Sequence, residues 1–319
     1  MSELDIIRAG PEHAAMIVEV IHRAFAARPV LDPASTALDE TPESVARTLA
    51  GPGGLVVLRR GVPMGAMLFD DSRPGKLGFT RVSVDPQVRD RGVASAMVGV
   101  AEDIAEERGL DGIWLHARAE LPENLRFWTH RHYVEVGREG TRIDLGKTLW
   151  LAREIPDAEA MAEFASRVAS LVSAGDLLVL TGGLGAGKTT FTQGLGEALG
   201  VRGPITSPTF VLARTHPSLV GGPALVHVDA YRLGDAAELD DIDLDTTFDQ
   251  AVTVVEWGAG RAEQLSDSRL DITIEVREAT DADPSGARCG VASDDMRVIS
   301  VKPRGPRWID VPLRSVLLA

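Results

Sequence analysis

Val179-Leu180-Thr181-Gly182-Gly183-Leu184-Gly185-Ala186-Gly187-Lys188-Thr189-Thr190 is an apolar run, then a glycine-rich bend, then the start of a helical pattern. From Gly182 to Thr189 it reads G-x-x-x-x-G-K-T. Glycines let successive backbone N–H groups converge on a phosphate, and the N-terminus of the following helix adds positive potential at the same place. In that arrangement Lys188 reaches the outer phosphates and the Thr189 hydroxyl holds Mg2+. The surroundings fit: Leu177–Leu180 has the length and composition of a buried strand, and Thr189–Leu199 has helical spacing with Gly200 as a stop. A glycine-rich turn that binds nothing would leave this strand–loop–helix order a coincidence. The stretch is read as a nucleotide phosphate site.

Downstream, Ile205-Thr206-Ser207-Pro208-Thr209-Phe210-Val211-Leu212 places a proline where a strand is expected to begin. Ser207 and Thr209 are candidates for a switch segment that senses phosphate or metal, and the plainer reading is an edge-strand start. Two apolar runs then end in single acids. Ala224–Val228 leads into Asp229, and Ala251–Val255 leads into Glu256-Trp257-Gly258. In an open α/β sheet, ligands sit beyond the carboxyl ends of the strands, and a carboxylate there suits Mg2+. Residues 235–249 hold seven carboxylates, read as a solvated amphipathic face with a protein-docking surface as the alternative. Leu270–Val276 and Val298–Val301 are expected to pair as antiparallel strands, joined by a polar connection over 279–295.

Upstream, Asp5–Ala9 reads as a strand and Pro11–Ala27 as a helix. A second helix starts with Thr41 as N-cap and Pro42 as first residue, and stops at Gly51. Leu55–Leu58 and Met64–Phe69 form a hairpin around Arg60-Gly61, and Leu77–Val84 is a third strand. Arg89-Asp90-Arg91-Gly92-Val93-Ala94 follows directly and opens a helix closed by Gly109, so its amides can wrap a pyrophosphate. Gly112–Ala117 is a strand, Glu123–His132 a helix, and Thr141–Leu145 the closing strand of the first sheet. Lys147–Ile155 is expected to run on as one strand into a helix over Ala158–Val172.

The 319 residues suit two domains, with the junction expected between 146 and 147. Cys289 is the only cysteine, which excludes an internal disulfide and a cysteine-based metal cluster. No apolar run approaches a bilayer span and the start lacks signal-peptide features, so a cytoplasmic setting without membrane contact is expected. The formal charge is −14: residues 1–146 carry 17 Lys/Arg against 22 Asp/Glu, and 147–319 carry 16 against 25. Neither half offers the basic face that nucleic-acid phosphate requires. Only four of the 33 basic residues are lysines.

The element order of residues 3–146, with its R-x-x-G-x-A turn, resembles the GNAT N-acetyltransferases. The resemblance implies that the strand carried by Val82 and Val84 bonds the pantetheine arm of acetyl-CoA. It also implies that Arg89, Asp90, Arg91, Gly92, Val93 and Ala94 grip the pyrophosphate. The family often places a tyrosine, as acid for the leaving thiolate, in F-Y-x-x-x-G-F. This chain has Phe127-Trp128-Thr129-His130-Arg131-His132-Tyr133, with tryptophan at the tyrosine's place and histidine at the glycine's. Tyr133, His116 or His132 are the possible substitutes, and a surface or packing role is the plainer reading of each histidine.

The combination L-G-A-G-K-T-T, S-P-T-F, H-x-D-x-Y-R and V-E-W, from 147 to about 310, resembles the TsaE (YjeE) family of ATPases. Those ATPases serve threonylcarbamoyladenosine synthesis on tRNA. The resemblance implies ATP and Mg2+ as ligands. Gly182, Gly183, Leu184, Gly185, Ala186, Gly187, Lys188, Thr189 and Thr190 would lie around the phosphates and Trp257 near the nucleotide. Thr189 and Glu256 would be metal ligands, with Lys188, Asp229 and Glu256 catalytic and Ser207 and Thr209 in the switch. It implies TsaB- and TsaD-like partners, with tRNA met only through them. Gly183 stands where the family usually has aspartate. The expected fold is α/β throughout: a GNAT-like mixed-sheet domain, then a P-loop NTPase domain. In the alternative, the GNAT half is the working acyltransferase or a CoA sensor, and the P-loop half is a nucleotide-dependent binding module.

Overall fold

The computed structural model describes residues 4–88, 92–208, 212–232, 248–277 and 296–319. The chain divides into two compact units, Met1–Leu149 and Trp150–Ala319. No described helix is long and apolar enough to cross a membrane.

The first unit holds β1 (Leu4–Arg8), α1 (Ala14–Ala26), α2 (Pro42–Ala50), β2 (Gly54–Arg59), β3 (Val62–Asp70) and β4 (Lys76–Val84). It continues with α3 (Val93–Glu107), β5 (Gly112–Arg118), α4 (Pro122–Thr129), β6 (Val134–Glu139) and β7 (Arg142–Thr148). The reasons are local. Thr41 and Ser44 close a reciprocal capping box ahead of α2, with each side chain accepting from the other's backbone N–H. Arg60 and Gly61 take φ of 52° and 77°, the left-handed pair that a two-residue hairpin between β2 and β3 demands. The sheet runs β1-β2-β3-β4-β5-β7-β6. Ile17, Val20 and Ile21 of α1 and Val45 and Leu49 of α2 bury one face over Val56, Ala66 and Leu68. Val93, Met97, Ala101 and Ile104 of α3 cover the other face over Leu55, Val57, Leu77 and Phe79. All neighbours are antiparallel except β4 and β5, which pair in parallel only from Lys76↔Gly112 to Phe79↔Leu115. Beyond those residues the two strands part.

The second unit holds β8 (Leu151–Ile155), α5 (Ala158–Ala169), β9 (Leu177–Thr181), α6 (Lys188–Ala198), β10 (Ala213–His216) and β11 (Ala224–Asp229). After these come β12 (Ala251–Glu256), β13 (Arg269–Val276), β14 (Arg297–Arg304) and α7 (Leu313–Leu317). The sheet runs β10-β11-β12-β9-β13-β14-β8, with β11, β12, β9 and β13 mutually parallel. β9, β11 and β12 are almost wholly buried and mostly apolar, as burial on both sides requires, whereas β13 alternates polar and apolar residues and buries one face. Leu178, Leu180, Leu225, Val252, Val254 and Ile272 join the core that includes Phe164 of α5 and Phe191 of α6. α6 approaches α5 closely at Gly194, where a Cβ would lie 2.8 Å from Ala162 Cα. Gly194→Ala should therefore lower stability by about 1–3 kcal/mol, read from the denaturation midpoint.

Two expectations are corrected. Lys147–Ile155 is not one strand: Lys147 and Thr148 end β7, whereas Leu151–Ile155 pairs with β14 of the other sheet. The run holds no proline or glycine to mark a break in sequence, but the backbone changes hydrogen-bonding partner within it. Similarly, no strand begins at Ser207-Pro208, and β10 starts only at Ala213, after Leu212 at φ 66°. Most of the acidic segment 235–249 and all of the 279–295 connection lie outside the described residues.

Candidate functional site

Parallel pairing sets Asp229 directly beside Glu256, and Glu256 beside Leu180, the last apolar residue before the glycine loop. Both acids thus stand at the carboxyl ends of neighbouring strands, at the mouth of that loop. Backbone bonds fix the rim: Ala230 N donates to Glu256 O and Trp257 N donates to Leu180 O, each at 2.9 Å. The loop needs its glycines. Gly182, Gly185 and Gly187 have φ of 156°, 76° and 109°, and a Cβ on Gly182 would sit 2.4 Å from Ile274 O. Gly183, Leu184 and Gly185 are exposed, Ala186 is buried, and Gly187 is the N-cap of α6. A side chain on Gly183 would meet open space, so aspartate is sterically acceptable there.

Lys188 is 5% exposed. Its ammonium donates to Gly182 O and Gly183 O at 2.8 and 2.9 Å, and lies 3.8 Å from the Trp257 ring centroid. Burial lowers its pKa from the usual lysine value, and the Glu256 and Asp229 carboxylates oppose part of that shift. Thr189 Oγ1 donates to Glu256 Oε1 at 3.0 Å. Asp229 Oδ2 accepts from Ser207 Oγ at 2.8 Å and Oδ1 from Tyr231 N at 3.0 Å. Trp257 takes φ 60° and packs its ring 5.1 Å from that of Tyr231. Thr190 is half-buried on the first turn of α6. Thr209 lies outside the described residues.

The donor set fits a nucleotide with Mg2+. A buried ammonium, the amides of the loop and a hydroxyl–carboxylate pair are the groups such a ligand takes up. Among the described residues, no three His, Cys, Asp or Glu side chains are grouped to cage a metal ion. A divalent ion here would be held by Thr189 and Glu256 together with phosphate oxygens. The residue that sequence reasoning left without a role is His227, fully buried on β11 with Nε2 2.9 Å from Glu256 Oε1. Its signal was its place as the first residue of the H-x-D-x-Y-R run, an imidazole in an apolar strand two residues before Asp229.

In the first unit, the parting of β4 and β5 leaves Thr80–Val84 and His116–Arg118 without a strand between them. Such backbone edges suit an extended amide-bearing chain like pantetheine. Val82 and Val84 are half-buried on β4, and Arg28 Nη2 donates to Val82 O at 3.1 Å. Gly92, at φ 77°, is the N-cap of α3, with Val93 buried and Ala94 half-buried, whereas Arg89, Asp90 and Arg91 lie outside the described residues.

Trp128 does not line a cleft. It is packed edge-on against Phe127 and Tyr133, at centroid distances of 5.0 and 4.9 Å. Tyr133 is 1% exposed and donates to Glu102 Oε1 at 2.8 Å, and Lys147 Nζ donates to both Glu102 oxygens at 2.7 Å. Burial, and then the Glu102 charge, push the Tyr133 pKa well up, which makes it a weaker proton donor. His132 takes φ 63° where the resembling family has glycine. His116, half-exposed on β5, pairs Nδ1 with Asp144 Oδ1 at 2.7 Å.

A model of the threonylcarbamoyl adenosine biosynthesis protein TsaE matches residues 155–283, and one of the acetyltransferase (GNAT) family matches residues 20–133. The chain is 51% identical over 149 residues to the tRNA threonylcarbamoyladenosine biosynthesis protein TsaE of Streptomyces coelicolor, covering 46% of this chain and 93% of the relative. It is 52% identical over 151 residues to the protein of the same name from Mycobacterium bovis, covering 44% of this chain and 90% of the relative. A solved PaiA N-acetyltransferase from Thermoplasma acidophilum, in complex with coenzyme A, is 12% identical at TM-score 0.42, covering 46% of this chain and 99% of that one. A chain that covers 93% of a relative half identical to it, and matches the family's model from residue 155, belongs to the TsaE family.

Proposed function

We propose that the second unit binds ATP with Mg2+ at Gly182–Thr190 and hydrolyses it in support of threonylcarbamoyladenosine formation in tRNA, together with TsaB- and TsaD-like proteins. One observation carries the reading: the Thr189 hydroxyl of the glycine loop and the Glu256 carboxylate of β12 meet at 3.0 Å, 67 residues apart in sequence. Mg2+, when bound, would neutralise phosphate charge and orient the leaving group. Lys188 and the loop amides stabilise charge that develops on the transferring phosphoryl group. Asp229, steadied by Ser207 and the Tyr231 amide, holds the attacking water. The excess of carboxylates over Lys/Arg in residues 147–319 disfavours direct contact with tRNA phosphate, so the partners carry the RNA.

Phosphate release from ATP with Mg2+ tests the site. Glu256→Ala is expected to abolish it, and unchanged turnover would remove the assignment. Size-exclusion chromatography with TsaB and TsaD, with and without ATP, tests the partners, and separate elution in both conditions would remove them.

The first unit supports a second reading, favoured by the parted strands β4 and β5: acetyl-CoA as donor to an amine acceptor. Of the side chains considered for proton transfer, His116 is oriented by a carboxylate, Asp144, and is accessible to solvent. Free thiol released from acetyl-CoA with a panel of N-terminal peptides would favour a working transferase. Tight CoA binding without release would favour a sensor.

A further inference from the structure

His227 occupies a position where an aliphatic side chain would serve packing better. Its neighbours along β11 are Leu225, Val226 and Val228, all buried, and its partner in the register is Val254 of β12. The imidazole is 0% exposed, and its Nδ1 is buried without a hydrogen-bond partner among the described residues. A buried polar atom left unpaired is destabilising, so the ring is retained at a cost to the fold. What it gains is one contact, Nε2 with Glu256 Oε1 at 2.9 Å. An ionised carboxylate only accepts, so Nε2 carries the hydrogen and donates. Thr189 Oγ1 donates to the same oxygen at 3.0 Å. Two donors on different elements, β11 and α6, thus converge on Oε1 of a carboxylate that is 3% exposed. Neither bond uses Oε2.

We propose that His227 is a positioning residue: its Nε2–H pins Oε1 of Glu256 so that Oε2 is presented to the divalent ion of a bound nucleotide. It touches neither nucleotide nor metal. It restricts the rotation of a buried carboxylate whose other fixed partner, Thr189, belongs to the phosphate loop, and an outer partner of this kind sets the orientation and the donor strength of a metal ligand. The inference rests on the reading of Glu256 as a Mg2+ ligand, and the test separates the two.

The experiment titrates the full chain with ATP by calorimetry, in EDTA and over a Mg2+ series. It compares wild type, His227→Leu and His227→Gln, with thermal melting of each without nucleotide. Glutamine keeps an N–H donor at nearly the same reach, and leucine keeps only the volume. His227→Leu is expected to need roughly 10- to 100-fold more Mg2+ for half-maximal ATP binding. Its affinity for ATP in EDTA should stay within about twofold of wild type, and His227→Gln should recover most of the loss. The proposal is overturned if His227→Leu keeps the wild-type Mg2+ requirement, or if it loses affinity equally in EDTA. It is also overturned if His227→Gln melts like wild type yet is no better than leucine. Wild type that binds ATP identically in EDTA and Mg2+ would instead remove Glu256 as a metal ligand, and this inference with it.

Discussion

Lys188→Ala is expected to cut ATP turnover with Mg2+ by on the order of 100- to 1000-fold, the loss that follows removal of one preorganised charge donor at a reacting centre. The side chain is buried, its charge is set against the acids Asp229 and Glu256, and among the described residues its ammonium donates to two carbonyls of the loop itself. No other lysine is near in sequence, since the chain has four in all. Burial depresses the Lys188 pKa, so between that value and the ordinary lysine value the unfolded chain binds more protons than the folded one. Folding is therefore disfavoured by this group at neutral pH and recovers as pH rises through the folded pKa. Lys188→Met should thus be stable, or more stable than wild type, while inactive. Phosphate release together with the melting temperature checks both halves, and an active alanine variant would end the assignment of Lys188.

Gly182→Ala should cost about 3 kcal/mol in the second unit, which lowers its melting temperature by roughly 6–12 °C. The added Cβ would meet Ile274 O at 2.4 Å and Ala186 Cβ at 3.2 Å, so a backbone carbonyl of β13 has to move. The position also has φ 156°, which an L side chain rarely adopts. Gly183→Ala, one residue on, adds a Cβ to open space and is expected to change stability by less than about 0.5 kcal/mol. Paired calorimetric scans of the two variants distinguish a tight backbone approach at Gly182 from a general need for glycine.

Much of this was legible in the chain because the signals were local. The Thr41 cap, the Arg60-Gly61 turn and the apolar runs that end in Asp229 and Glu256 each depend on residues within a few positions of one another. The Gly182–Thr189 pattern was likewise complete in itself. What escaped depended on partners far away in sequence. The run 147–155 could not reveal that its first residues bond β5 and its last bond β14. Trp128 reads as a site residue by spacing, yet Phe79, Phe127 and Tyr133 draw it into the core. His227 is one more apolar-strand interruption until the pairing of β11 with β12 sets its Nε2 2.9 Å from Glu256 Oε1.

The lysines themselves carry a practical consequence. Lys188 is sequestered under Trp257, Lys147 is clamped by Glu102, and Lys76 is half-buried, which leaves Lys302 as the one exposed lysine. Amine-directed cross-linkers, biotin esters and adventitious acylation by activated thioesters should therefore modify this protein sparsely, at Lys302 and the α-amine. Any lysine-linked adduct would report on Lys302.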